Sequence, residues 1–191
     1  MQKARTAILA AMLLVALSPL LAAAEKVKPV EKFTAVAISM GHGKSSRLDI
    51  VINRWSTDEE REKLLTTLQE FGRDKLIDEL TKIRPTCGYM RLPNTKGYEL
   101  YYARNNVMPD GSRHVVIATN RYPTFGEATN ATRSMQYQAV VIEIHLDKDG
   151  KGEGKMQPAA KITWDNAKKT IEIENYGALP IDLKSVKSVA P

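Results

Sequence analysis

The sequence predicts an α+β fold, predominantly antiparallel β, with about eight or nine strands and one helical pair inserted after the second strand. Three observations predict it. After residue 32, apolar side chains fall on alternate positions through most of the chain, the rhythm of half-buried strands. Between Trp55 and Pro85 that rhythm gives way to apolar residues three and four apart, the rhythm of helices. Turn residues separate the strands at short intervals, and no linker-like stretch divides the chain. Periodicity leaves open whether the strands close as a sandwich or as a barrel-like sheet.

The elements follow in order. Phe33, Ala35 and Ala37 point one way, with Thr34, Val36, Ile38 and Met40 opposite. After the Gly-rich interruption at 41–46, Leu48, Ile50 and Ile52 share a face, so the first two strands form a hairpin. Ser56 with Glu59, or Thr57 with Glu60, has the spacing of a capping box, and acids in the first turn suit the helix dipole. Leu64, Leu65, Leu68 and Phe71 form that helix's stripe, and Gly72 ends it. A second helix over 74–83 carries Leu76, Ile77, Leu80 and Ile83 and stops at Arg84-Pro85. Residues 87–92 and 98–103 read as strands. Met108 to Ser112 is a turn and 114–119 the return strand. The long irregular loop at 122–134 holds Pro123, Gly126 and the triplet Asn130-Ala131-Thr132. In the strand over 137–146, Val140, Ile142, Ile144 and Leu146 face one way, and Ala139, Val141, Glu143 and His145 the other. The stretch 147–154 reads as a turn, followed by short strands at 160–164, 170–175 and 181–186.

The N-terminus reads as an export signal. Lys3 and Arg5 precede the uncharged stretch 6–24, and Ala22, Ala23 and Ala24 place small side chains before Glu25. The stretch is short for a span of about 20 apolar residues, and Pro19 near its end favours cleavage over anchoring. The expected organisation is a signal peptide at 1–24, a lead-in at 25–32 and a single domain at 33–191. The expected location is the periplasm or the exterior, with no stable membrane span after cleavage. Cys87 is the one cysteine, so no internal disulfide forms; a buried inert thiol is expected. The formal charge of +6 includes Lys3 and Arg5, and the other cations are dispersed among 22 acids. Nucleic acid is therefore not an expected partner.

The chemical motifs are weak. Asp147, Asp149 and Gly152 match a calcium loop, but Lys151 stands at its fifth position and Pro158 at its twelfth. A plain turn is expected there. Gly41-His42-Gly43-Lys44-Ser45 echoes a phosphate loop but has Ile38 where the first Gly belongs, and a strand follows instead of a helix. His42, His114 and His145 are far apart in sequence, so structural histidines are expected and no metal site is assigned. No Gly-x-Ser-x-Gly elbow is present. No catalytic residue and no cofactor is assigned. Tyrosines on strands, with arginines beside them, point instead to a ligand-binding surface of Tyr89, Arg91, Tyr98, Tyr102, Arg104 and Arg121. Such a surface suits an anion or a glycan; ordinary cross-strand contact is its alternative.

The segments Ile52 to Arg61, Ala118-Thr119-Asn120-Arg121 and Asp149 to Gly154 occur in an order that resembles a family of exported bacterial proteins of unknown function. The resemblance implies bacterial export and nothing about activity. The function expected is that of an exported, non-catalytic domain that binds a small ligand, an envelope component or a protein partner. An apolar cavity between sheet and helices would support a small ligand. The alternatives are a small secreted hydrolase, which needs His114 or His145 to meet Glu143, or Cys87 to meet a histidine, and an envelope component held by an uncleaved N-terminus.

Overall fold

The computed structural model describes residues 28–39, 44–121, 136–176 and 180–189. The expected signal segment, the tip of the first hairpin with His42, and the loop at 122–134 lie outside the described residues. Ten strands and two helices run in the order β1 (Glu31–Ser39), β2 (Lys44–Ile52), α1 (Asp58–Phe71), α2 (Arg73–Thr81), β3 (Gly88–Arg91), β4 (Tyr98–Leu100), β5 (Tyr102–Val107), β6 (Arg113–Asn120), β7 (Ala139–Leu146), β8 (Lys151–Asp165), β9 (Thr170–Asn175) and β10 (Ile181–Val189). Every strand pairing is antiparallel. The sheet order is β4-β3-β2-β1-β10-β8-β7-β6-β5, with β9 also on β8. The α+β expectation holds, with the helical pair after β2, and the sheet is a nearly closed barrel.

Two departures from the expected elements have local causes. Residues 98–103 split at Tyr101, because β4 pairs with β3 and β5 pairs with β6. The stretch after Asp147 is not all turn: β8 begins at Lys151 and runs to Asp165. Its glycines resemble turn residues in composition but serve close backbone approach. A Cβ on Gly152 would lie 1.8 Å from the His145 carbonyl oxygen of β7. The turn proper is held by Asp147, whose Oδ1 accepts from the amides of Asp149 and Lys151 at 2.9 Å each. Gly150 closes the same turn by donating its amide to the Asp147 carbonyl at 3.1 Å.

The barrel interior is apolar. Phe33, Leu48, Ile50, Ile117, Ile142 and Leu183 are each at most 1% exposed. β1 and β2 meet as predicted, with Phe33 opposite Ile50 and Ala35 opposite Leu48. The two sheet edges are joined by side chains and single amides. Ser56 donates its amide to the Ala103 carbonyl at 2.7 Å and accepts the Ala103 amide on its Oγ at 3.0 Å. Thr119 of β6 donates its hydroxyl to the Glu99 carbonyl of β4 at 2.6 Å. One charged group closes an end of the barrel. Arg113 binds both carboxylate oxygens of Glu31, at 3.0 and 2.7 Å, and Ser188 donates to the same carboxylate at 2.6 Å.

The helices lie on the outer face. The capping box falls on Thr57 and Glu60, since Ser56 is engaged in closing the sheet. Arg54 clasps the same Glu60 at 2.9 and 2.8 Å, which ties the helix start to the end of β2. Leu68 and Leu76 meet Ala139, Val141, Ala160 and Ile162, with Leu64 and Ile77 beside them. Phe71, predicted to belong to the buried stripe, is 67% exposed. α1 ends there, and Gly72 at φ +78° redirects the chain into α2 before the ring reaches the sheet. Among the described residues, no helix is long and apolar enough to cross a membrane.

Candidate functional site

Between the helical pair and the barrel lies an apolar cleft of about 200 Å³. Its floor comes from outward-facing residues: Tyr102 on β5, Val116 and Ala118 on β6, Val141 on β7, Ile162 on β8, and Ile171 and Ile173 on β9. Its roof comes from Leu64, Leu65 and Leu68 of α1 and Leu76 and Leu80 of α2. A small side chain explains the depression. Ala118, opposite Val141 in register, presents a short group beneath the long leucines. Arg61 is the one charged lining residue. Burial pushes the Tyr102 phenol above its ordinary pKa, so it is a neutral hydroxyl at the edge of an apolar surface.

Of the six residues that the sequence singles out, Tyr102 lines this cleft. Arg104, two residues on along the same face of β5, pairs with Asp58 at 2.7 Å and donates Nε to Asn106 Oδ1 at 3.2 Å. The hydrogen bond to Asp58 holds its guanidinium above the usual value. Arg104 lines a separate polar groove with Trp55, Ser56, Thr57, Asp58, Glu59 and Asn105 at the start of α1. Tyr89 and Arg91 alternate with the buried Met90 on β3, so they share its outer face. Tyr98 sits opposite Met90 in register and therefore points the other way, at the rim. Arg121 follows β6 and donates Nε to the Tyr137 carbonyl at 3.0 Å. Among the described residues, Tyr102 borders the apolar cleft and Arg104 the separate polar groove.

Cys87 is buried. Its Sγ donates to the Tyr101 carbonyl and lies by Ser56 Oγ, both at 3.3 Å. Burial pushes the thiol upward, against the pull of the Ser56 hydrogen bond, so little thiolate forms. Two of the histidines come together with Glu143, the convergence that the hydrolase alternative requires. His114 of β6 and His145 of β7 are direct cross-strand partners, and their rings stack at 4.4 Å between centroids with 5° between planes. Glu143 shares the outer face with His145, and ligand atoms of all three lie within 4.8 Å of one another. Sequence separation hides this meeting. The segment at 122–134 lies between the two strands, so their register cannot be counted through a short turn.

Comparison with protein-family models, curated proteins and solved structures finds no match to this chain. The chemistry of the site therefore rests on the geometry alone.

Proposed function

We propose that the chain is an exported, non-catalytic binding domain that takes one small, predominantly apolar molecule into the cleft between helices and barrel. The cleft of about 200 Å³ is the observation that carries this reading. An apolar cavity of roughly 150 Å³ accepts benzene, whereas drug-sized ligands occupy about 300–1,000 Å³. The size thus fits a single ring or a short acyl segment. Arg61 and the Tyr102 hydroxyl offer a polar end for such a molecule. Export to the periplasm or exterior is part of the same proposal and is supported by the charged, apolar and small-residue order of residues 3–24. The N-terminus of the exported protein is then expected near Glu25.

The test is a methyl NMR titration with toluene and with hexanoate, alongside thermal melts. Expected are saturable shifts at Leu68, Leu80 and Val141, and a Tm that rises with ligand, because a ligand selective for the folded state stabilises it. Ala118→Leu fills the floor and is expected to abolish the shifts while keeping the barrel folded. Shifts that are absent, or that persist unchanged in Ala118→Leu, overturn the reading.

A further inference from the structure

We propose that His114, Glu143 and His145 form a site for one divalent transition metal of the zinc type, with a coordination position left open. The site is built on the outer faces of two paired central strands, β6 and β7. Two imidazoles and one carboxylate are a donor set that suits zinc and its first-row neighbours and suits magnesium or calcium poorly. Three protein ligands leave a fourth tetrahedral position for water or another ligand.

Two observations set the cluster apart from ordinary surface histidines. The ligand atoms of all three residues already lie within 4.8 Å of one another. The Nε2 of His114 is buried and has no hydrogen-bond partner, although a buried ring nitrogen ordinarily finds one. A metal supplies that partner. Bonds of about 2.0 Å at tetrahedral angles place ligand atoms about 3.3 Å apart, so closure needs a contraction of about 1.5 Å or less. Rotation of the exposed His145 ring out of its stack on His114, together with a turn of the Glu143 side chain, provides it without moving the strands.

The neighbours fit this reading. Asn106 donates to the His114 carbonyl at 3.3 Å, a contact with the backbone that does not occupy the ring nitrogens. Glu153 lies opposite His145 in register, but its carboxylate is held by Lys184. Lys155 lies opposite Glu143 in register.

The experiment is isothermal titration of the full chain, stripped with a chelator, with Zn²⁺, and with Mg²⁺ and Ca²⁺ as controls. One Zn²⁺ per chain and a raised Tm are expected, with no saturable response to Mg²⁺ or Ca²⁺. His145→Ala, at an exposed position, is expected to keep the fold and weaken Zn²⁺ binding by more than about tenfold, and Glu143→Gln by about tenfold. His42→Ala is expected to change nothing. Absence of saturable Zn²⁺ binding, retention of affinity in His145→Ala, or its loss in His42→Ala overturns the proposal. A Co²⁺ absorption spectrum of the wild type supplies a readout independent of folding: a tetrahedral band that survives His145→Ala also overturns it.

Discussion

Ser56 ties the segment between β2 and α1 to the edge strand β5 with one amide and one hydroxyl, both engaged with Ala103. Ser56→Ala leaves the buried Ala103 amide without its acceptor and removes a neighbour of the Cys87 sulfur. A stranded buried donor costs about 1–3 kcal/mol, so the unfolding free energy is expected to fall by that amount, read as a lower urea midpoint at unchanged slope. Glu60 governs a pH effect at the same end of the barrel. The hydrogen bond from Arg54 lowers its carboxyl below the ordinary glutamate value, more than burial raises it. A lowered folded-state pKa contributes stability above the unfolded value near 4.5, and that contribution is lost as the pH falls through the folded one. Glu60→Gln is therefore expected to melt lower than wild type at pH 7. Between pH 6 and pH 3 its melting temperature should fall less steeply. Parallel curves for the two proteins would assign the acid limb to other carboxylates.

At the scale of elements, the approach of β8 to β7 depends on side chains that are missing. Gly152 and Gly154 pair with Leu146 and Ile144, and a Cβ on either would collide with a β7 carbonyl oxygen. Both obstacles are backbone and cannot turn aside. Gly152→Ala is expected to cost about 2–4 kcal/mol in chemical denaturation, against about zero for Lys151→Ala next to it. β10 solves a related problem with a bulge. Its register shifts between Leu183 and Val186 against β8, and Ser185 takes φ +52°. The extra residue bends the strand so that it can lie between β1 and β8 in a curved sheet. The helical pair is attached more lightly. α1 buries Thr67 and Leu68, and α2 buries Leu76 and Leu80.

For the whole molecule, this asymmetry separates a nearly closed barrel from a lid of helices over one of its faces. The barrel interior is continuous from Phe33 to Val186, whereas the helices touch a smaller cluster outside it. Amide exchange is expected to be slowest in β6 and β7 and at least about tenfold faster in α1 and α2, since local opening needs less burial to be undone. An apolar ligand in the cleft is expected to slow exchange in the helices and leave the barrel strands unchanged. Equal protection in both layers would mean that helices and barrel open as one unit.

Much of this architecture is written in local spacing. Alternation in 33–38 and 48–52 made the first hairpin and its inward face readable, and the same rhythm placed Val140, Ile142 and Ile144 inside. Thr57 with Glu60 and the terminal Gly72 marked the first helix. These features depend on neighbours a few residues away, which a linear chain displays. The apolar cleft and the His114–Glu143–His145 cluster were not readable in that way. The cleft exists because Ala118 and apolar groups from five strands meet leucines from two helices, and the cluster exists because β6 and β7 pair in one particular register. Barrel closure, too, rests on contacts such as Ser56 with Ala103, separated by 47 positions. Residue spacing sets which face a side chain takes within its own strand; only the curved, nearly closed sheet sets which faces become neighbours.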